Sequence, residues 1–80
     1  MSGAQENTRL LIMARQIADF FRAYPEDEAV AAIADHINHF WTRRMRDDFL
    51  AFARARPDEV DPLVVRSLPS IRTGEHSSAI

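Results

Sequence analysis

Between Leu10 and Tyr24, apolar residues recur with the period of a helix. At roughly 100° per residue, Leu10, Met13, Ala14, Ile17, Ala18, Phe20, Phe21 and Tyr24 fall within about half of the circumference, while Arg15, Gln16, Asp19 and Arg22 occupy the other half. Ile12 alone sits on the polar side. An apolar arc this wide is more than a single neighbouring helix covers. A chain that contains it must wrap further helices around it or leave part of it in water.

The rest of the chain supplies those helices. Pro25 interrupts the first segment, which is expected from about Thr8 to Tyr24 with Asn7 or Thr8 as its cap. Glu26, Asp27 and Glu28 then complement the positive end of a second helix dipole. Consecutive side chains fan out around a helix, so these three carboxylates read as a solvated helix start and not as a metal or acid–base cluster. The second helix carries Val30, Ile33, Ala34, Ile37, Phe40 and Trp41 on one face, and its alanines favour helix and permit close approach of a neighbour. Thr42 is the expected N-cap of a third helix reaching Ala55, with Met45, Phe49, Phe52 and Ala53 inside and Leu50 well off that face. Asp61-Pro62 repeats the cap-then-proline pattern and opens a short helix through Leu63, Val64, Val65 and Leu68, which Pro69 stops. The expected fold is all-α: a small bundle of three helices plus a short C-terminal helix over residues 8–68. Disordered tails are expected at 1–7 and 69–80.

Size limits what such a bundle can do alone. A chain of 80 residues makes one small domain, which buries only about 60% of the surface its unfolded form exposes. Ile12, Leu50 and the edge of the first stripe at Phe20 are hard to cover internally, so docking on something larger, or self-association of the isolated chain, is expected. No cysteine is present, which excludes disulfides, thiolate zinc and iron–sulfur ligation. The N-terminal residues carry neither a basic region nor an apolar core of a secretory signal, and no apolar run approaches the roughly 20 residues that span a bilayer. A cytoplasmic protein without a membrane partner is expected. All ten basic residues are arginine, whose planar, weakly hydrated guanidinium suits contacts with protein carboxylates.

The segment Phe40-Trp41-Thr42-Arg43-Arg44-Met45-Arg46 joins the second and third helices and holds the single tryptophan. His36 and His39 precede it at a spacing that can serve a metal, but the helical wheel puts His36 at the edge of the apolar stripe and His39 nearly opposite its centre, and no further ligands accompany them. A nucleic-acid role conflicts with the formal charge of −2 and with Asp47 and Asp48 on the helix that would enter a groove. No phosphate loop or nucleophile elbow exists, and the chain holds only two glycines. No catalytic, metal or cofactor-binding residue is expected. Phe21, Phe40 and Phe49 are expected in the core, whereas Trp41 suits core and interface alike. Arg43, Arg44 and Arg46 are either a solvated Arg/Asp face or, with Trp41, Ile12, Phe20 and Leu50, the groups that meet a partner.

Taken in order, Met13-Ala14-Arg15-Gln16-Ile17-Ala18-Asp19-Phe20-Phe21, Tyr24-Pro25, Ala29-Val30, His36-Ile37, Phe40-Trp41-Thr42 and Arg44-Met45-Arg46 closely resemble the delta subunit of NAD-dependent formate dehydrogenase. Asp61-Pro62-Leu63-Val64 looks like the same family's last helix start, so the resemblance spans about residues 10–68. One departure is Arg43, at a place where members commonly have proline. The resemblance implies a non-catalytic accessory subunit of a cytoplasmic complex that oxidises formate and reduces NAD. It also implies that bis-molybdopterin guanine dinucleotide and iron–sulfur clusters lie in an alpha subunit, and FMN with further clusters in beta and gamma subunits. The delta chain is then expected to support assembly or stability by docking on the alpha subunit. The rival expectation from the residues is a homodimeric helical adaptor or regulatory protein unrelated to formate oxidation.

Overall fold

The computed structural model describes residues 2–73, with side chains from Asn7 onward. Every regular element among the described residues is helical: α1 (Ser2–Phe21), α2 (Glu26–Phe40), α3 (Arg43–Ala55) and α4 (Pro62–Ser67), with 3-10 turns at Pro57–Glu59 and Leu68–Ser70. α1 touches each of the other three helices, and α2 packs most extensively on α4. The body measures 34 × 34 × 20 Å. Its thin dimension is about two helix diameters, so each helix keeps one side toward solvent.

The local start signals work as expected. Thr42 Oγ1 accepts from the Met45 amide at 3.1 Å, which caps α3. Asp61 Oδ1 accepts from the Leu63 amide at 2.9 Å ahead of Pro62, which caps α4. α2 begins directly after Pro25, whose carbonyl accepts from the Ala29 amide at 2.9 Å. α1 departs from expectation at both ends. It begins at Ser2, six residues ahead of Thr8, because Ala4-Gln5-Glu6 are good helix formers and no proline intervenes. The tail expected at 1–7 is therefore helix from Ser2 on, and Met1 lies outside the described residues. It ends at Phe21 instead of Tyr24, since Pro25 disfavours helical geometry in the residue before it.

The core is built from short i, i+4 stripes. α1 contributes Leu10, Ala14 and Ala18, all fully buried, and the two alanines let its neighbours come close. α2 contributes Ile33, Ala34 and Ile37, and α3 contributes Phe49, Leu50 and Ala53. Leu50, expected off the inner face, is only 1% exposed. The buried face of α3 centres between Phe49, Leu50 and Ala53, leaving Met45 and Phe52 half-buried at its margin. The first stripe is covered over only part of its width, as its breadth led us to expect. Phe20 and Tyr24 remain exposed, because the neighbours of α1 cover the Leu10–Ala14–Ala18 line and leave the far flank of the arc bare.

Chain closure also extends further than expected. The tail expected from Pro69 onward is, through Thr73, part of the fold: Ile71 is buried with Val60, Val64 and Leu68 in the same core as the helices. Residues 74–80, including His76, lie outside the described residues. Ser67 is buried too, its hydroxyl donating to the Val64 carbonyl at 2.7 Å.

Candidate interaction surface

The α2–α3 junction divides into an inner and an outer face. The inner face begins with Trp41. Ile33, Ile37 and Trp41 follow one another at i+4 steps, so the buried stripe of α2 runs on into the residue that ends the helix. There the backbone turns extended, and the indole enters the core with its ring 5.5 Å from that of Phe49 in an edge-to-face arrangement. Trp41 is 5% exposed, which settles it as core. Phe40, one step round the helix from that stripe, is 73% exposed, contrary to its expected place inside. The two neighbouring aromatics thus take opposite roles, decided by which one the stripe carries over Phe49.

Arg46 also turns inward. Its guanidinium donates to the Trp41 carbonyl at 2.9 Å and to the Arg72 carbonyl at 2.9 Å, with a longer contact of 3.5 Å to the Asn38 carbonyl. The last carbonyls of a helix lack partners within it, and Arg46 supplies them from the first turn of the next helix. Asn38 completes the arrangement: its Nδ2 donates to the Ser70 carbonyl at 3.0 Å and its Oδ1 accepts from the Arg72 amide at 2.8 Å. The pair clasps the chain after α4 onto the α2–α3 junction. Neither a charge pattern nor a helical wheel foretells this, because the acceptors are backbone atoms of a segment expected to be loose.

The outer face holds Phe40, Thr42, Arg43 and Arg44. The His36 ring lies against Phe40, with centroids 4.6 Å apart. Arg44 approaches Asp48 at 3.8 Å with nine-tenths of its side chain in solvent. His39 turns away and meets the Asp35 carbonyl at 2.8 Å, so His36 and His39 do not converge. Among the described residues no group of three or more His, Cys, Asp or Glu is placed to hold a metal.

A second exposed group stands at the other end of α1. Phe20 is 72% exposed and packs edge-on against Phe21 at 4.9 Å, and Phe21 meets Tyr24 at 5.7 Å. Ion pairs surround it. Arg22 bridges Asp19 at 2.6 Å and Asp61 at 2.7 Å, while Arg66 reaches back from α4 to Glu26 and, at 3.6 Å, to Asp27. The carboxylates expected as a solvated helix start therefore partly serve to join α2 to α4. The hydrogen bonds that Arg22 donates to Asp61 and then to Asp19 push its pKa up, and the one that Arg66 donates to Glu26 does the same there. Both guanidiniums keep their charge wherever the protein is folded.

Of the residues expected to face a partner, Ile12, Phe20, Arg43 and Arg44 lie on the surface, whereas Trp41 and Leu50 are buried in the core and Arg46 is occupied with backbone carbonyls. Phe40 and Tyr24 join the exposed set, and their apolar positions alone did not reveal it. A cleft beside Ile12, lined also by Leu11, Arg15, Glu59 and Asp61, encloses about 230 Å³, under the roughly 300–1,000 Å³ of small-molecule sites. No helix among the described residues is long and apolar enough to cross a membrane.

No curated protein and no solved structure matches the chain. A protein-family model described as NADH-dependant formate dehydrogenase delta subunit FdsD matches residues 9–68, the stretch that contains α2, α3, α4 and nearly all the buried core. With three-quarters of its length matched, the chain belongs to the NADH-dependent formate dehydrogenase delta subunit family.

Proposed function

We propose that this delta subunit is a non-catalytic accessory chain of a cytoplasmic NAD-dependent formate dehydrogenase, which supports assembly or stability by docking on the molybdenum-containing alpha subunit. The observation that carries the reading is the exposure of Phe20 and Phe40, each more than 70% in solvent beside an otherwise filled core. A buried aromatic contributes about 150–250 Å² of contact, and aromatic anchors dominate the energetics of protein interfaces. Ile12 and Tyr24 extend the apolar surface. A chain without cysteine has no thiolate for an iron–sulfur cluster, which supports placing the clusters in the partner subunits.

The test is capture of the native complex through an affinity tag on this chain, expressed in its host. Iron–sulfur and flavin absorbance co-eluting with the tag, together with formate-dependent NAD reduction, is the expected result. A chain that elutes alone, or as a homodimer with no coloured partner, refutes the proposal.

A further inference from the structure

The outer face of the α2–α3 junction pairs an anchored aromatic with cations that the chain leaves largely unneutralised. We infer that Phe40, Arg43 and Arg44 form the centre of the docking surface, and that it fits an apolar pocket rimmed by carboxylates on a partner subunit. The inference rests on the accessory-subunit reading and deepens it by naming the face and the chemistry it meets.

Phe40 ends its helix with the His36 ring against one side; Phe20 is held likewise by Phe21, and what sets Phe40 apart is the pair of arginines that follows it. A side chain already held in place loses little freedom on binding, so more of its burial appears as affinity. Arg43 follows three residues later, which places the two Cα atoms within about 11 Å of each other.

The charge pattern specifies the partner's chemistry. Arg22, Arg56 and Arg66 each meet a carboxylate at 3.0 Å or less, and Arg46 serves carbonyls. Arg43 makes no ion pair among the described residues, and Arg44 has only its distant contact with Asp48. Both stand in the first turn of α3, where a cation opposes the helix dipole. Among the described residues only the distant Arg44–Asp48 contact offsets part of that cost. Carboxylates on a partner do so, and the guanidinium fork meets them bidentately.

A second copy of this chain is a poorer occupant. Its densest run of acids is Glu26-Asp27-Glu28, and Arg66 already holds the first two. The partner is therefore a different protein, with acidic groups of its own around an apolar recess.

The inference is tested by capturing the native complex with the tagged chain carrying Phe40→Ala, Arg43→Glu with Arg44→Glu, or Phe20→Ala. Glutamate in the first turn of α3 agrees with the helix dipole and Phe40 is exposed, so all variants should unfold like the wild type in circular dichroism. The Phe40 variant and the double arginine variant are expected to lower captured partner by at least about tenfold. Capture by the wild type is expected to weaken as salt rises from about 0.1 to 0.5 M, in step with the shortening Debye length. Wild-type capture with both variants undiminished, or loss only in the Phe20 variant, overturns the inference and leaves the accessory role standing. No capture by the wild type, or a homodimer that the arginine variant dissociates, overturns both.

Discussion

The turn from α1 into α2 and the junction from α2 into α3 look alike in outline. Each is a few residues long, each carries neighbouring aromatics, and each has arginines close by. They are held by different physics. At the first, Arg22 reaches the largely covered Asp61 and Arg66 the exposed Glu26, both from half-exposed guanidiniums, while Phe20 and Tyr24 stay in solvent. At the second, Trp41 is in the core, Thr42 caps α3, and Arg46 and Asn38 bond backbone atoms on both sides. Exposed ion pairs are screened by water and salt and contribute little, whereas charge-assisted bonds to partly buried carbonyls lose more when broken. The α2–α3 junction is the structural hub, and the α1–α2 turn is a hinge-like edge held by adjustable charges.

The contrast breaks most visibly at Trp41. Trp41→Ala should cost about 3–5 kcal/mol, read as a lower denaturation midpoint, whereas Phe40→Ala should stay within about 0.5 kcal/mol of wild type. Equal losses at the two positions would mean that the two aromatics share the core. Arg46→Ala should follow at about 1–3 kcal/mol, because it strands carbonyls at the end of α2. Arg46→Lys should restore only part of that loss, since an ammonium lacks the guanidinium fork. The smallest effect belongs to the turn: Arg66→Ala, which removes the exposed pairs with Glu26 and Asp27, should lower the thermal midpoint slightly in dilute buffer and not at all in about 1 M salt, where the Debye length is roughly 3 Å. A loss at Arg66 that persists in high salt would erase the distinction between the two regions.

How much of this was legible depended on the range of the cause. Pro25, Thr42 and Asp61-Pro62 act within one turn of helix, and each marks a helix start where expected. The all-α class followed from the same local periodicity. Leu50 and Phe40 were misplaced because a wheel gives a residue's direction and not what stands opposite it. Leu50 points toward a neighbouring helix and is buried, while Phe40, one step off the buried stripe of α2, stays in solvent. Trp41 stayed open between core and interface until its contact with Phe49 was seen. Arg46 and Asn38 were the least legible. Their partners are carbonyls and an amide some 26 to 34 residues away, and backbone groups leave no residue signature. Arg43 and Arg44 were recognisable as surface cations because their charge and their place in a first turn are both local facts.

The clasp on the chain after α4 has a kinetic consequence. Residues 38 and 72 close a loop of 34 residues through one side chain, and such long closures come after the local helices have formed. The segment it holds is short and includes the exposed Ser70 and Arg72, so it should open before the whole domain unfolds. The Arg72 amide proton, sheltered only by Asn38 Oδ1, then exchanges with deuterium at the rate of that local opening. The protons of Ile33 and Ile37, deep in α2, wait for global unfolding. A single amide thus times the release of residues 70–72 independently of the stability of everything beneath them.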